Sequence, residues 1–363
     1  MSDNLALYAG PKAMDIISRQ GLRPEMVKAV LGAAGGPKWL VLHGLDRAIF
    51  SSWFKDRTEP LFLLGASIGA WRFAAVSQND PLEALDRFLS AYIGQHYSVR
   101  PAPEEVTLEC TKIVDTLLGD SGTEEILNHP FLRLGIFTAR CKWPVASDNR
   151  GLLALGLMDA ALYNAVHRTG LRFFFDRALF FDPRDSLSMA PMSDVETLEI
   201  PLSAGNLKDV LLASGSVPLL MRGVKNIPDA PEGMYRDGGI IDYHFDLPIL
   251  RDDDNAEGLI LFPHYMERII PGWFDKHLPW RKPQPANVDR VLLVAPSKGF
   301  LERLPFGRIP DRNDFFFFRG RDEERLAYWN EVIAAGAGLG EEFLDAVETG
   351  DIRELVEPLA NLM

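Results

Sequence analysis

Cysteine is scarce in this sequence, and long apolar runs and an excess of basic residues are missing from it. Its 363 residues include two cysteines, Cys110 and Cys141, outside any Cys-x-x-Cys pair, which excludes a disulfide framework and favours a reducing cytoplasm. No apolar run approaches the roughly 18 residues of a membrane span, and the first ten residues lack the basic start of a signal peptide. The formal charge of −13 disfavours a nucleic-acid partner bound through its phosphates.

Patterns typical of metal and nucleotide sites are also missing. The seven histidines form no i, i+4 pair and have no carboxylate at metal-ligand spacing, so no metal site is predicted. The Gly-rich segment Gly32–Lys38 has Pro37 where a phosphate-binding loop needs its second glycine, and it does not match G-x-G-x-x-G. We therefore expect no cofactor. The acidic run 252–254 is predicted to be a solvated turn.

Two strand–turn–helix units follow each other in the first 80 residues. In the first unit, an apolar strand at Met26–Leu31 and a turn of small residues precede helical spacing over Lys38–Phe50. In the second, a strand at Leu61–Leu64 leads through Gly65–Gly69 into a helix at Ala70–Ser77. This alternation predicts an α/β fold.

The rest of the chain continues the α/β pattern without an internal repeat. Further strands are predicted at Leu132–Thr138, Leu171–Phe181, Leu259–Phe262 and Val288–Ala295, and helices at Pro11–Gln20, within Asp80–Leu118 and at Asn206–Leu212. The tail from Asp322 to Met363 has helical spacing. We predict an α/β domain over residues 1–300 and a helical C-terminal extension over 301–363, packed on that domain.

The sharpest local signal is G-A-S-I-G at Gly65–Gly69, a G-x-S-x-G pattern between a predicted strand and a predicted helix. Its glycines let the backbone turn tightly, so that Ser67 projects its hydroxyl beside the positive N-terminus of the following helix. A serine hydroxyl is a weak nucleophile unless a base activates it. The pattern therefore predicts a nucleophilic serine with a partner elsewhere in the chain.

Two further segments supply candidates for the rest of such a site. Asp237-Gly238-Gly239 offers a carboxylate on an exposed turn, although the same triplet is also common in plain hairpin turns. The segment Gly32–Lys38 lies at another strand-to-helix junction, where free backbone amides can hold an oxyanion.

These three segments, in this order, resemble the patatin-like phospholipase family, whose blocks are a Gly-rich oxyanion loop, a G-x-S-x-G serine and a D-G-[GA] aspartate. A fourth block, Ala213–Pro218, is similar to the family's Ala-Ser-x-x-x-Pro stretch, and the resemblance spans residues 27–250. It implies a three-layer α/β/α fold with a mostly parallel sheet. It also implies a Ser67–Asp237 dyad, an oxyanion hole at Gly35 and Gly36, and cofactor-free hydrolysis of a phospholipid or another lipid ester.

The oxyanion loop departs from the family pattern at two positions. Ala34 and Trp39 stand where the family has glycine, while Gly35, Gly36 and the basic Lys38 agree with it. A Cβ at position 34 is tolerated where φ is negative. The bulk of Trp39 is expected to narrow the entrance for an acyl chain.

Alternatives remain open at the level of the sequence. His244, His264 and His277 follow Asp237 in the Ser, Asp, His order of α/β-hydrolases, so a full triad is the rival mechanism. An esterase or acyltransferase acting on a soluble acyl donor, and a catalytically silent lipid-binding module, are the rival functions. An aromatic and basic cluster over 273–282, joined by phenylalanines over 300–318, predicts peripheral contact with a lipid surface.

Overall fold

The computed structural model describes residues 4–187, 189–250 and 257–362. The acidic run 252–254, predicted as a solvated turn, lies outside them. The strands are β1 Leu5–Ala9, β2 Val27–Gly32, β3 Leu61–Ala66, β4 Leu132–Cys141, β5 Phe175–Phe181, β6 Thr197–Pro201, β7 Val224–Lys225, β8 Met234–Asp237, β9 Leu259–Pro263, β10 Val291–Pro296 and β11 Val356–Pro358. The α-helices are α1 Pro11–Gln20, α2 His43–Ala48, α3 Ile68–Val76, α4 Pro81–Ile93, α5 Pro103–Leu118, α6 Gly122–Asn128, α7 Arg150–Val166, α8 Leu207–Gly215, α9 Pro285–Val288, α10 Lys298–Arg303, α11 Asp314–Phe317, α12 Asp322–Thr349 and α13 Ile352–Leu355.

The eleven strands of the described residues form one sheet in the order β11-β1-β10-β9-β2-β3-β4-β5-β6, with β8 also paired to β4, and β7 paired to β8. The centre, β10-β9-β2-β3-β4, is parallel throughout. Antiparallel pairs join β1 to β10 and join both β5 and β8 to β4. The prediction of an α/β fold with a mostly parallel central sheet is confirmed.

Both faces of the central sheet are covered by helices. Every residue of β10 is buried, and so is every residue of β4 except Arg140. A strand buried on both sides reads as a continuous apolar run rather than an alternating one, as in the parallel sheets of α/β proteins. This is why β2, β3, β9 and β10 could be recognised as apolar runs in the sequence.

The helical C-terminal region packs on the same sheet and on α2. In α12, a Cβ added to Gly336 would lie 2.4 Å from the carbonyl oxygen of Val41, and one added to Gly340 would lie 2.5 Å from that of Gly44. The small residues therefore let α12 approach α2 closely, while β11 pairs in parallel with β1 at the sheet edge. A domain division at residue 300 stays a prediction.

Some element boundaries differ from those predicted. The apolar run predicted as one strand over Leu171–Phe181 begins as a 3-10 turn at Arg168–Phe173, and the strand starts at Phe175. The segment predicted as a helix over Lys38–Phe50 starts as a 3-10 turn at Gly36–Leu42 before α2. No described helix combines the length and the apolar character needed to cross a lipid bilayer.

Candidate active site

Ser67 lies in a sharp turn between strand β3 and helix α3. Its backbone has φ 54° and ψ −127°, a conformation that costs energy for a residue with a side chain. The side chain is buried, with 2% of its surface exposed. This backbone conformation is the strained strand-to-helix turn that G-x-S-x-G sequences adopt in α/β-hydrolases.

The two glycines of the pattern are required by close backbone approaches. A Cβ on Gly65 would lie 2.6 Å from the backbone nitrogen of Ala70, and one on Gly69 would lie 1.9 Å from the carbonyl oxygen of Gly32. The second contact joins the start of α3 to the end of β2. The turn carrying Ser67 therefore packs directly against the strand that leads into the Gly-rich loop.

Ser214, in the block Ala213–Pro218, holds the backbone of the serine turn. Its buried hydroxyl accepts a hydrogen bond from the Ser67 N–H at 2.9 Å and donates one to the carbonyl of Phe137 at 2.8 Å. The fourth sequence block thus has a physical role, because it fixes the strained turn to strand β4.

Asp237 lies at the end of β8, where that strand pairs with β4, and faces the serine. The Ser67 hydroxyl donates to Asp237 Oδ2 at 2.8 Å, and the N–H of Gly239 donates to Oδ1 at 2.8 Å. A Cβ on Gly238 would lie 2.1 Å from the carbonyl oxygen of Phe137, so the D-G-G sequence lets this turn pack flush on β4. The structure thus brings together the two residues predicted as a dyad.

The electrostatics around Asp237 set its basicity. Burial raises the pKa of Asp237 above its ordinary value, while the Arg312 guanidinium and the hydrogen bonds from Ser67 and Gly239 oppose that rise. Arg312 Nη2 lies 3.9 Å from Asp237 Oδ2. A carboxylate with a raised pKa is the stronger base, and the nearby guanidinium favours its ionised form.

Arg312 was missed by sequence reasoning. It lies outside the 27–250 span of the motifs, on a loop held by the buried carboxylate of Asp314, which accepts from Arg308, Trp329 and the Asp311 N–H. No local pattern marks such a residue, because its place beside Asp237 depends on how the C-terminal region packs.

The Gly-rich loop lies beside this pair. Gly35 caps the 3-10 turn at Gly36–Leu42 and Gly36 is the first residue of that turn; among the described residues their N–H groups donate to no protein acceptor. Gly36 has φ 59° and packs against Arg312, with its added Cβ 3.0 Å from the Arg312 Nε. Ala34 packs on the D-G-G turn, since a Cβ on Gly239 would lie 2.6 Å from its own. Two unpaired amides thus lie in a loop that contacts the turn carrying Asp237.

An apolar cleft, open to solvent, lies at Ser67. Besides Ser67, Gly36, Pro37, Gln95 and Arg312, its lining is apolar, aromatic or sulfur-containing, namely Ile68, Trp71, Tyr92, Tyr97, Pro101, Val106, Cys110, Gly215, Val217, Leu220, Met221, Phe315 and Phe316. Trp39 is absent from this lining. It is fully buried and stacks on Phe88 at a ring-centroid distance of 4.7 Å, so the predicted narrowing of the entrance by Trp39 is wrong.

The histidines of the rival triad lie elsewhere. Among the described residues, no histidine is hydrogen-bonded to Ser67 or Asp237. His244 and His264 are buried and bond to Tyr265 and to backbone groups, while His277 is exposed. No set of three or more His, Cys, Asp or Glu side chains in the described ranges is placed to hold a metal ion.

The aromatic and basic cluster over 273–282 does not form one exposed face. Trp273 is half-buried beside Asp237, and Lys276 lies 4.0 Å from the ring centre of Tyr243. Trp280 is exposed over 66% of its surface. Three other exposed rings belong to the C-terminal region of the chain, and each has an arginine stacked on it. The pairs are Phe306 with Arg308, Phe316 with Arg319, and Phe317 with Arg321.

Comparison with known proteins finds remote similarity. No family model matches the sequence, and no curated protein matches it. Among solved structures, VipD from Legionella pneumophila is similar at 14% identity and a TM-score of 0.31, over 66% of this chain and 50% of VipD. Human GIVD cytosolic phospholipase A2 is similar at 12% identity and a TM-score of 0.29, over 96% of this chain and 66% of that one. The chain thus spans half of the first protein and just under two thirds of the second, and neither similarity carries a function across.

Proposed function

We propose that this protein is a serine acyl hydrolase of patatin-like type that cleaves carboxylic esters of lipids through a Ser67–Asp237 dyad. The observation that carries the proposal is the 2.8 Å hydrogen bond from the Ser67 hydroxyl to a buried aspartate, on a strained strand-to-helix turn. The motif resemblance over residues 27–250 supports it, because the hydrogen bond joins the two blocks that would supply nucleophile and base.

The proposed reaction uses groups of this chain alone. Asp237 Oδ2 accepts the Ser67 hydroxyl proton while Oγ attacks the ester carbonyl, and the N–H groups of Gly35 and Gly36 bind the resulting oxyanion. As the ester C–O bond breaks, Asp237 returns the proton to the leaving alcohol, which leaves an acyl-enzyme. Asp237 then takes a proton from a water that attacks the acyl-enzyme, and gives that proton to Ser67 Oγ as the carboxylic acid is released.

The lining of the cleft supports a lipid substrate. Its walls are mostly hydrocarbon and aromatic surface, which favours burial of an apolar acyl chain beside Ser67. The two cysteines are free thiols, and a cytoplasmic location stays our prediction.

Covalent labelling tests the activated serine. A fluorophosphonate probe is expected to label the wild-type protein at Ser67, located by mass spectrometry, and to leave Ser67→Ala unlabelled. The control is Ser77→Ala, since Ser77 is also buried but lies at the far end of α3. Labelling of that variant should equal wild type.

The outcomes of labelling separate the candidate functions. A folded wild type that stays unlabelled would overturn the proposal in favour of a silent lipid-binding module. Labelling at Ser67 with turnover of short soluble esters, but none of long-chain esters, would instead point to an esterase or acyltransferase on a soluble donor.

We also propose that the protein contacts a lipid surface through a patch that we call the cleft rim. It consists of Phe316, which lines the cleft, of Phe317, which follows it in the chain, and of Phe306, whose ring packs on that of Phe317, together with their stacked arginines. Phe316 lines the cleft and is itself 61% exposed, so a bilayer touching this rim would meet the opening toward Ser67. Arg308 and Arg321 are paired with Asp314 and Glu324, so Arg319 supplies the positive charge that this patch would present to an anionic lipid surface.

Vesicle flotation tests the cleft rim. The double variant Phe316→Ser/Phe317→Ser is expected to lose at least about tenfold in partitioning to phosphatidylserine-containing vesicles, because each ring would bury apolar area in the bilayer. The control is Phe173→Ser, since Phe173 is equally exposed and also carries a stacked arginine but does not line the cleft. Unchanged partitioning of the double variant would refute the rim as the contact.

A further inference from the structure

Tyr265 packs against the Gly-rich loop from the side opposite to solvent. Its ring is so close to Gly35 that an added Cβ would lie 2.7 Å from Cε1 and 2.9 Å from the hydroxyl oxygen. Its hydroxyl donates to the carbonyl of Ala34 at 2.5 Å. The loop is thus held by an aromatic ring and by a hydrogen bond to one particular peptide group.

That peptide group is the one between Ala34 and Gly35. The only cis bond in the described part of the chain is Trp143–Pro144, so this peptide is trans. In a trans peptide, the C=O of one residue and the N–H of the next point in opposite directions. A hydroxyl that fixes the Ala34 carbonyl toward Tyr265 therefore fixes the Gly35 N–H away from it. The other side of Ala34 is held too, since its N–H donates to the carbonyl of Tyr243 at 3.0 Å.

His244 determines which acceptor receives the proton of the Tyr265 hydroxyl. His244 Nδ1 lies 3.0 Å from the N–H of Ile270 and 3.2 Å from the carbonyl oxygen of Arg268, and Nε2 lies 2.6 Å from the Tyr265 hydroxyl. The Ile270 N–H points at Nδ1 and can only donate, so it requires Nδ1 as an acceptor, which places the ring proton on Nε2. Burial lowers the pKa of His244 well below its ordinary value, so the ring is neutral and carries one proton. With Nε2–H donating to its oxygen, the Tyr265 hydroxyl directs its own proton to Ala34.

We infer that Tyr265, oriented by His244, is a positioning residue that aims the Gly35 N–H at the oxyanion of the reaction. This inference rests on the proposed acyl hydrolase function and deepens it. It also explains why position 35 is glycine, since the ring that holds the loop occupies the space of a side chain. Tyr265 and His244 touch no reacting atom in this scheme and act through the backbone of the loop.

Kinetics of Tyr265→Phe test the inference. The variant keeps the ring against Gly35 and loses the hydroxyl, so kcat on an ester substrate is expected to fall about 10- to 100-fold with KM changed less than about twofold. A trifluoromethyl ketone, whose adduct with Ser67 carries an oxyanion, should lose affinity by the same factor as kcat/KM. A non-reactive alcohol analogue of the same chain length should bind as before, because it forms no oxyanion.

Two further variants make the result interpretable. Tyr235→Phe is the matched control, because the Tyr235 hydroxyl also donates to a backbone carbonyl, that of Pro231, away from the loop. Its kinetics should equal wild type. His244→Gln leaves the Tyr265 hydroxyl in place and removes the ring that orients it, so a smaller loss of kcat is expected, and this variant also serves if Tyr265→Phe does not fold.

The outcomes distinguish this inference from the proposed function. A wild type without esterase activity or Ser67 labelling would overturn both. An active wild type with Tyr265→Phe and His244→Gln both at wild-type kcat would overturn the positioning role and leave the dyad standing. Equal weakening of the ketone and of the alcohol analogue would also overturn it, because that result would mean a general disturbance of the cleft.

Discussion

Asp237→Asn is expected to lower kcat by about 10³-fold while the protein stays folded, because general-base catalysis is lost. The amide has the shape of the carboxylate and can still hydrogen-bond Ser67 and Gly239, so the turn keeps its contacts. A neutral amide cannot take up the hydroxyl proton during attack. The loss should appear in kcat and in the rate of fluorophosphonate labelling alike, since both require an activated Ser67.

The control for this substitution is Asp246→Asn. Burial raises the pKa of Asp246 as it does that of Asp237, but Asp246 is bonded to Gln284 and Asn287, away from the serine. We expect wild-type kcat from it. If Asp237→Asn kept more than about a tenth of the activity, the carboxylate would not be the base, since that role supplies at least about a hundredfold.

The centre of the fold could be predicted because its signals are local. Strands β2 and β3 are apolar runs followed directly by glycine-containing turns and helical spacing, so each unit can be recognised from one short continuous stretch of sequence. Strands β1 and β11, at one end of the sheet, were missed for the opposite reason. β11 has three residues in a tail with helical spacing, and it is a strand because β1 lies beside it. Pairing between distant segments leaves little trace in local composition.

The residues of the candidate site divide in the same way, into those that lie in local motifs and those that reach the site through tertiary packing. Ser67, Asp237, Gly35 and Gly36 lie in short motifs whose glycines are dictated by close backbone contact, and such motifs survive as sequence patterns. Arg312 approaches Asp237 through the packing of the C-terminal region, and Tyr265 contacts Gly35 from a loop after β9. A single arginine or tyrosine carries no pattern of its own, so these neighbours become visible only in three dimensions.

A buried charge network supports the turn that carries Asp237. The fully buried Arg177 on β5 donates to both carboxylate oxygens of Asp242, at 2.6 and 2.8 Å, and to Asp194 at 3.0 and 3.1 Å. Asp242 is itself 1% exposed, and its N–H donates to the carbonyl of Gly238 at 2.9 Å. The pair therefore ties strand β5 to the residues that directly follow the aspartate of the dyad.

Arg177→Met is expected to cost about 3–5 kcal/mol in the free energy of unfolding, because it leaves the Asp242 carboxylate buried without its main partner. Chemical denaturation followed by tryptophan fluorescence measures this loss. The control is Arg19→Met, since Arg19 pairs with Asp15 at an exposed position, where an ion pair contributes less than about 1 kcal/mol.

The double variant Arg177→Met/Asp242→Leu separates two explanations of that cost. If the loss of stability comes from the unpaired Asp242 carboxylate, removing Asp242 as well should recover part of the free energy of unfolding. A buried ion pair can be replaced by apolar side chains with little loss of stability. If the cost came from lost packing of the arginine stem, the double variant would be at least as unstable as the single one. A single variant as stable as wild type would mean that water reaches Asp242, and that the turn bearing Asp237 does not depend on Arg177.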